Sequence, residues 1–171
     1  MTPQKTSPHR LSGLLSAMAT LGPIGYLPAP GTVGSLIAAI LGAVITMSFG
    51  IMTLVIMIVI AALLSFPAID AHHALTGKHD NKEIIIDEVV GQWLVFLAIP
   101  LSPLWERDYL LLVALAFVLF RVFDILKPPP VSTAENLPGA AGVVADDVMA
   151  GVLAGVLIMG GMQLFNAMAG Q

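Results

Sequence analysis

Long apolar runs separated by short polar clusters dominate this chain. Val33–Phe49 and Ile51–Phe66 are two such runs, with only Gly50 between them. Tyr109–Leu126 and Val148–Phe165 are two more. Each would make a helix about 25 Å long, slightly short of the roughly 30 Å hydrocarbon core of a bilayer. The one-residue break at Gly50 predicts a tight helical hairpin. Val89–Leu104 is a fifth, shorter run interrupted by Pro100 and Pro103, and it is expected to cross only with help from its neighbours. Strict apolar–polar alternation is absent, which excludes a membrane barrel. Near the N-terminus Leu11, Leu14, Leu15, Met18 and Leu21 recur at helical spacing, while Ser12, Gly13 and Ser16 interrupt the run. That pattern predicts a short interfacial helix rather than a cleaved signal. The expected fold is all-α: a polytopic membrane helical bundle of four to five spans. It forms one domain over 1–171, with an N-terminal interfacial segment (1–29) and the bundle at 30–169.

Composition agrees. The chain is 57% apolar and 11% charged, where soluble domains carry about 25% charged residues. There is no cysteine, so disulfides, thiolate metal sites and a cysteine nucleophile are excluded. A net charge of −4 with no basic tract argues against a nucleic-acid partner. Lys5 and Arg10 precede the first run, Lys78 and Lys82 follow the second, and Arg121 and Lys127 close the fourth; Arg107 alone lies between the third and fourth. The positive-inside rule then places the N-terminus, the 67–88 loop and the 127–147 loop in the cytoplasm, and five crossings leave the C-terminus outside. The polar clusters Pro30–Ser35, Asp70–Glu88, Arg121–Lys127 and Asp146-Asp147 would all meet at one membrane face.

Several of these clusters carry chemistry. Asp87 and Glu88 interrupt the apolar stretch "KEIIIDEVVGQW", although a charge at mid-bilayer costs about 2.5–3.5 kcal/mol. Asp146 and Asp147 precede the last run. They suit an N-cap, but two adjacent carboxylates exceed what a cap needs. Together the two pairs suggest a divalent metal such as Mg²⁺, which takes hard oxygen ligands and shares them with substrate phosphate. In "RVFDILK", Arg121 and Asp124 are spaced to meet on one helix face; an ion pair easing insertion and an anion-binding role both fit. Lys127 can snorkel to the interface. "PAPGTVGS" reads as a Pro/Gly turn with Thr32 as N-cap, where the Thr32 and Ser35 hydroxyls could also meet a phosphate. "DAHHALTGKHD" reads as a solvated loop whose His72, His73 and His79 lack a zinc pattern; Asp80 is an outlying metal candidate. Acids for a metal, cations for an anion and a helix start for phosphate make an inventory suited to phosphoryl chemistry at a membrane surface.

"PGTVGS" (Pro30–Ser35), "IIIDEVVGQW" (Ile84–Trp93), "RVFDILKPPP" (Arg121–Pro130) and "GVVADDVMAG" (Gly142–Gly151) occur in the order and spacing of the bacterial phosphatidylglycerophosphatase A family, which the chain resembles. The resemblance implies Mg²⁺-dependent hydrolysis of phosphatidylglycerophosphate to phosphatidylglycerol and phosphate, in phospholipid biosynthesis at the inner membrane. It implies Asp87, Glu88, Asp146 and Asp147 as the metal and water-activating set. Arg121 and Lys127 would clamp the phosphate, Asp124 would orient Arg121 or join the metal, and Thr32 and Ser35 would be secondary phosphate contacts. The expected partners are the lipid substrate and the surrounding membrane lipids. Two other classes are weighed against it. A CDP-alcohol phosphotransferase needs an aspartate-rich helix pattern that is missing here. A small cation channel or transporter should carry its acids near mid-bilayer or in repeated positions.

Overall fold

The computed structural model describes residues 8–77, 81–99 and 108–169, and these form seven α-helices. They are α1 (Pro8–Ala19), α2 (Pro30–Phe49), α3 (Ile51–Thr76), α4 (Ile86–Phe96), α5 (Tyr109–Leu126), α6 (Val131–Glu135) and α7 (Ala140–Ala169), with a 3-10 turn at Ile24–Tyr26. Four helices, α2, α3, α5 and α7, are long and apolar enough to cross a membrane. Their outward faces are apolar, as lipid contact requires: Met52, Leu63, Leu110, Leu111 and Leu164 are each more than 60% exposed.

The expected hairpin is present. Gly50 separates α2 from α3 with φ +83, a backbone geometry that glycine alone adopts freely. The short fifth run does not become a fifth long helix. α4 has 11 residues, about 16 Å, and it is the buried centre of the bundle. Val90, Val95 and Phe96 are fully enclosed, and α2, α3, α5 and α7 all pack against it. Pro100 and Pro103 lie outside the described residues.

Small residues set the packing. Among apolar helices in lipid the hydrophobic effect gives little drive, so close backbone approach and dispersion decide association. Gly42 of α2 leaves room for Trp93 and Phe96, and Trp93 Nε1 donates to the Ala38 carbonyl at 2.9 Å. Gly91 of α4 lies against Gly151 of α7, and further along Gly155 faces Val95 and Ala98. These contacts ascend together, so α4 and α7 run parallel and their N-terminal ends lie at the same end of the bundle.

Three boundaries differ from the sequence reading, each for a local reason. The second span does not stop at Phe66: α3 runs through Pro67 to Thr76 because Ala68, Ile69 and His72 are buried against α1 and the segment before α4. The stretch "DAHHALT" is therefore helix, not solvated loop. The last span starts at Ala140, so Asp146 and Asp147 stand in its second turn and cap nothing. Thr32 is not the N-cap of α2. Ala29 holds that position with φ +52, Pro30 starts the helix, and no side chain caps it.

Candidate active site

The first turn of α4 carries Asp87 and Glu88. Carboxylates suit the positive end of a helix, and the Glu88 backbone N–H is bonded to Asp87. Asp87 is buried, 8% exposed, and Glu88 is partly buried. Burial pushes Asp87 up to about 7, with its backbone hydrogen bonds opposing and the Asp146 charge adding. Burial likewise pushes Glu88 up to about 9, with the Asp87 charge adding and Arg121 opposing. Burial, ahead of any neighbouring charge, thus holds both carboxyls above their ordinary values.

α7 supplies the second pair from directly alongside. Asp87 lies four residues before Gly91, and Asp147 lies four before Gly151. Because those glycines touch, one helical turn back the two aspartates face each other. Asp146 accepts the backbone N–H of Asp147 at 3.0 Å and Lys127 Nζ at 2.8 Å. Lys127 is the C-cap of α5 in left-handed conformation, and the prolines after it forbid further helix. That bend returns the ammonium toward α7, where it pairs with both Asp146 and Glu135. Burial alone would lower its pKa, but the two carboxylates raise it above the ordinary lysine value, so Lys127 stays charged.

A second knot lies on the other side of Glu88. Arg121 Nη1 reaches Asp124 Oδ2 at 2.6 Å, Glu88 Oε1 at 3.4 Å and Ser35 Oγ at 3.4 Å. Ser35, fully buried, also donates to the Gly31 carbonyl at 2.7 Å. The glycines of "PGTVGS" create this space: a Cβ on Gly31 would strike Glu88, and one on Gly34 would crowd Ile85. Thr32 is exposed beside this knot.

A cavity of about 460 Å³ opens on Asp87, Glu88, Asp124, Lys127, Asp146 and Asp147. The structure thus brings together the acidic residues of three separate motifs and one of the two expected cations. Arg121, Thr32 and Ser35 do not line it; they adjoin it through Glu88 and Asp124. Asp80 lies outside the described residues. Sequence reasoning missed Glu135, His73, Asn81 and Lys82, which also line the cavity. Position explains the misses: Glu135 belongs to a five-residue helix with no apolar period, and His73 sits in a stretch that reads as loop by composition. His72 was misplaced in the same way. It is buried, with Nδ1 at 2.8 Å from Ser16 Oγ and Nε2 at 3.3 Å from Glu83 Oε2, tying α1 to α3 and to the segment leading into α4.

The donor set fits a hard divalent cation. Asp87 Oδ1, Glu88 Oε2 and Asp147 Oδ2 are buried and have no hydrogen-bond partner among the described residues. Six carboxylates line the cavity against the ammonium groups of Lys82 and Lys127. No three His, Asp or Glu side chains among the described residues are gathered as a complete ligand cage. An ion held by one or two carboxylates, waters and substrate phosphate does not need one.

A Bacteroides thetaiotaomicron protein provisionally named a phosphatidylinositol-3-phosphatase is 39% identical over 140 residues, which covers 78% of this chain and 84% of that protein. The phosphatidylglycerophosphatase A of Haemophilus influenzae is 38% identical over 132 residues, 77% of each chain. That of Escherichia coli is 39% identical over 83 residues, 47% of this chain and 45% of the relative. No solved structure matches. The sequence profile of phosphatidylglycerophosphatase A matches residues 17–162, a stretch that takes in every wall of the carboxylate cavity, and the chain belongs to that family.

Proposed function

We propose that this membrane phosphatase removes the terminal phosphate of phosphatidylglycerophosphate, with the cavity between α4, α5 and α7 as its reaction centre. The observation that carries this reading is the meeting of Asp87 and Asp147 beside Lys127, at the end of apolar helices. A lipid can there present its headgroup while its tails stay among the helices' apolar faces. One or two carboxylates of the set Asp87, Glu88, Asp146 and Asp147 would hold Mg²⁺, with waters and substrate phosphate as its other ligands. When bound, the ion would neutralise charge on the phosphoryl oxygens and activate water. Lys127 would meet the phosphate as a point charge, exchanging one of its carboxylate partners for it. Arg121 would keep Glu88 and Asp124 turned toward the cavity. Burial of Asp87, Asp146 and Asp147 would lower the local dielectric and so strengthen each of these contacts. The basic-residue pattern supports a cytoplasmic site in the inner membrane.

The experiment is turnover by the purified protein on phosphatidylglycerophosphate, with Mg²⁺ and after chelation. Phosphatidylinositol 3-phosphate belongs in the same panel, because one relative's name points to it. Release of phosphate from phosphatidylglycerophosphate, preferred over that lipid and lost in EDTA, is expected. A preference for phosphatidylinositol 3-phosphate would reassign the substrate. No turnover of either lipid would defeat the phosphatase reading.

A further inference from the structure

Arg121 stands between two spaces. On one side Nη1 holds Glu88, which lines the carboxylate cavity. On the other side Arg121 lines a separate groove of about 370 Å³ between α2 and α5. The groove follows one stripe of α5, with Val118, Val122 and Ile125 at helical spacing and 51%, 40% and 65% exposed. Among the described residues Arg121 is its sole charged lining residue, and Thr32 of α2 is its other polar one. An apolar trough facing lipid, headed by a guanidinium and a hydroxyl, has the chemistry of a phospholipid's chain and first phosphate.

Donors remain for that anion. Arg121 carries five N–H groups, and its described contacts to Asp124, Glu88 and Ser35 all use Nη1. The donors on its Nη2 make none of these contacts. Thr32 lies in the first turn of α2, ahead of the first backbone hydrogen bond, which Val33 makes to Ala29. Amides and hydroxyls there favour a phosphate.

We infer that Arg121 and Thr32 bind the bridging phosphodiester of the lipid substrate, with an acyl chain along the α2–α5 groove, and so select lipids that carry both a phosphodiester and a phosphomonoester. The inference rests on the phosphatase reading of the cavity. Glu88 and Asp124 both contact Arg121 and both line the cavity, so a lipid anchored at Arg121 extends its headgroup past these two carboxylates toward Lys127. A lipid whose single phosphate sits directly on diacylglycerol brings that phosphate only to Arg121. Phosphatidate should therefore compete with substrate rather than turn over.

The test compares kcat/KM of the full-length protein on phosphatidylglycerophosphate and on an analogue whose bridging phosphate is an uncharged methylphosphonate. The ratio of the two is the readout, because general damage to the site cancels in it. The wild-type ratio should be about tenfold or more, the size of a charge-assisted contact. Thr32→Val and Arg121→Lys should each lower it, chiefly through KM, and phosphatidate should inhibit competitively. A wild-type ratio near one, a ratio that neither variant changes, or phosphatidate acting non-competitively as a resident lipid would overturn the inference. Binding of phosphatidylglycerol against diacylglycerol, measured by native mass spectrometry, separates the two claims. Preference for phosphatidylglycerol that Thr32→Val weakens, in a protein that hydrolyses neither phosphatidylglycerophosphate nor phosphatidylinositol 3-phosphate, would keep the groove and remove the phosphatase reading. Equal binding of both would remove the groove.

Discussion

Gly91 of α4 and Gly151 of α7 meet backbone to backbone: a Cβ on Gly151 would stand 3.2 Å from the Gly91 Cα, and one on Gly91 would stand 2.5 Å from the Asp147 carbonyl oxygen. This contact sets the register of the two helices. It places Asp87 and Asp147 together one turn toward the helix starts. The small residues and the acidic residues of "DEVVG" and "DDVMAG" are thus parts of one device. The glycines allow the approach, and the approach assembles the acids.

Gly151→Ala should therefore damage activity and stability together. The added methyl meets the Gly91 backbone, which has no rotamer to yield. Overpacking of this kind costs about 1–3 kcal/mol. Thermal unfolding in detergent should show the loss, and kcat should fall in the protein that remains folded. Ala154→Gly, further along the same helix, is the comparison; it should affect stability more than turnover.

Asp87→Asn and Asp147→Asn keep size and remove the charge that a metal needs. Outer partners of metal ligands cost roughly 10–100-fold when lost, so direct ligands should cost at least about a hundredfold in kcat. Added Mg²⁺ should restore part of it. Steady-state kinetics over a Mg²⁺ series measures both. Near-normal turnover in folded variants would remove the metal assignment.

The raised carboxylates make a pH prediction for the cation-free protein. Burial pushes Asp87 up to about 7 and Glu88 up to about 9, against ordinary values of 3.8 and 4.5. Between those limits the folded chain binds more protons than the unfolded one, so stability should fall as pH rises from about 4 to about 9. A bound divalent cation replaces the protons and should reverse the trend. The gain in Tm on adding Mg²⁺ should accordingly grow with pH. A Tm gain that is the same at pH 5.5 and 8.5 would contradict it.

His72→Ala should not behave as a silent change. The imidazole is buried between Ser16 and Glu83, and its loss leaves polar groups without partners. About 1–3 kcal/mol is expected for such a deletion. Because Glu83 leads into α4, activity should fall as well. Unfolding and turnover of the variant in parallel would show it; wild-type values for both would mean that this junction does not position α4.

Orientation can be read by labelling, since the chain has no cysteine. Asn136→Cys, beside α6 at the carboxylate end, should react only when the cytoplasmic face is exposed. Phe49→Cys, at the α2–α3 hairpin, should react only from the opposite face. The opposite pattern would place the site outside.

The sequence by itself determined what kind of protein this is. Apolar runs long enough to cross a bilayer, a one-glycine hairpin and acids too costly to leave in lipid without purpose are all local features, and each appears in the structure. Helix ends were less legible. Whether α3 stops at Phe66 or continues to Thr76 depends on what buries Ile69 and His72, and that partner is distant in sequence. The site was legible as a list and not as an arrangement. Asp87, Asp146, Asp147 and Lys127 stand out by type and position, but only tertiary packing could pair Asp87 with Asp147 across two glycines. Only packing, too, could turn Lys127 to the cavity and Arg121 to the groove. Both are cations near one helix end, indistinguishable by spacing. A left-handed C-cap bends one back toward α7, while Glu88 and Asp124 hold the other against α2 and α4. Residue chemistry is carried along the chain, but the side of a helix that meets a neighbour is decided by the neighbour.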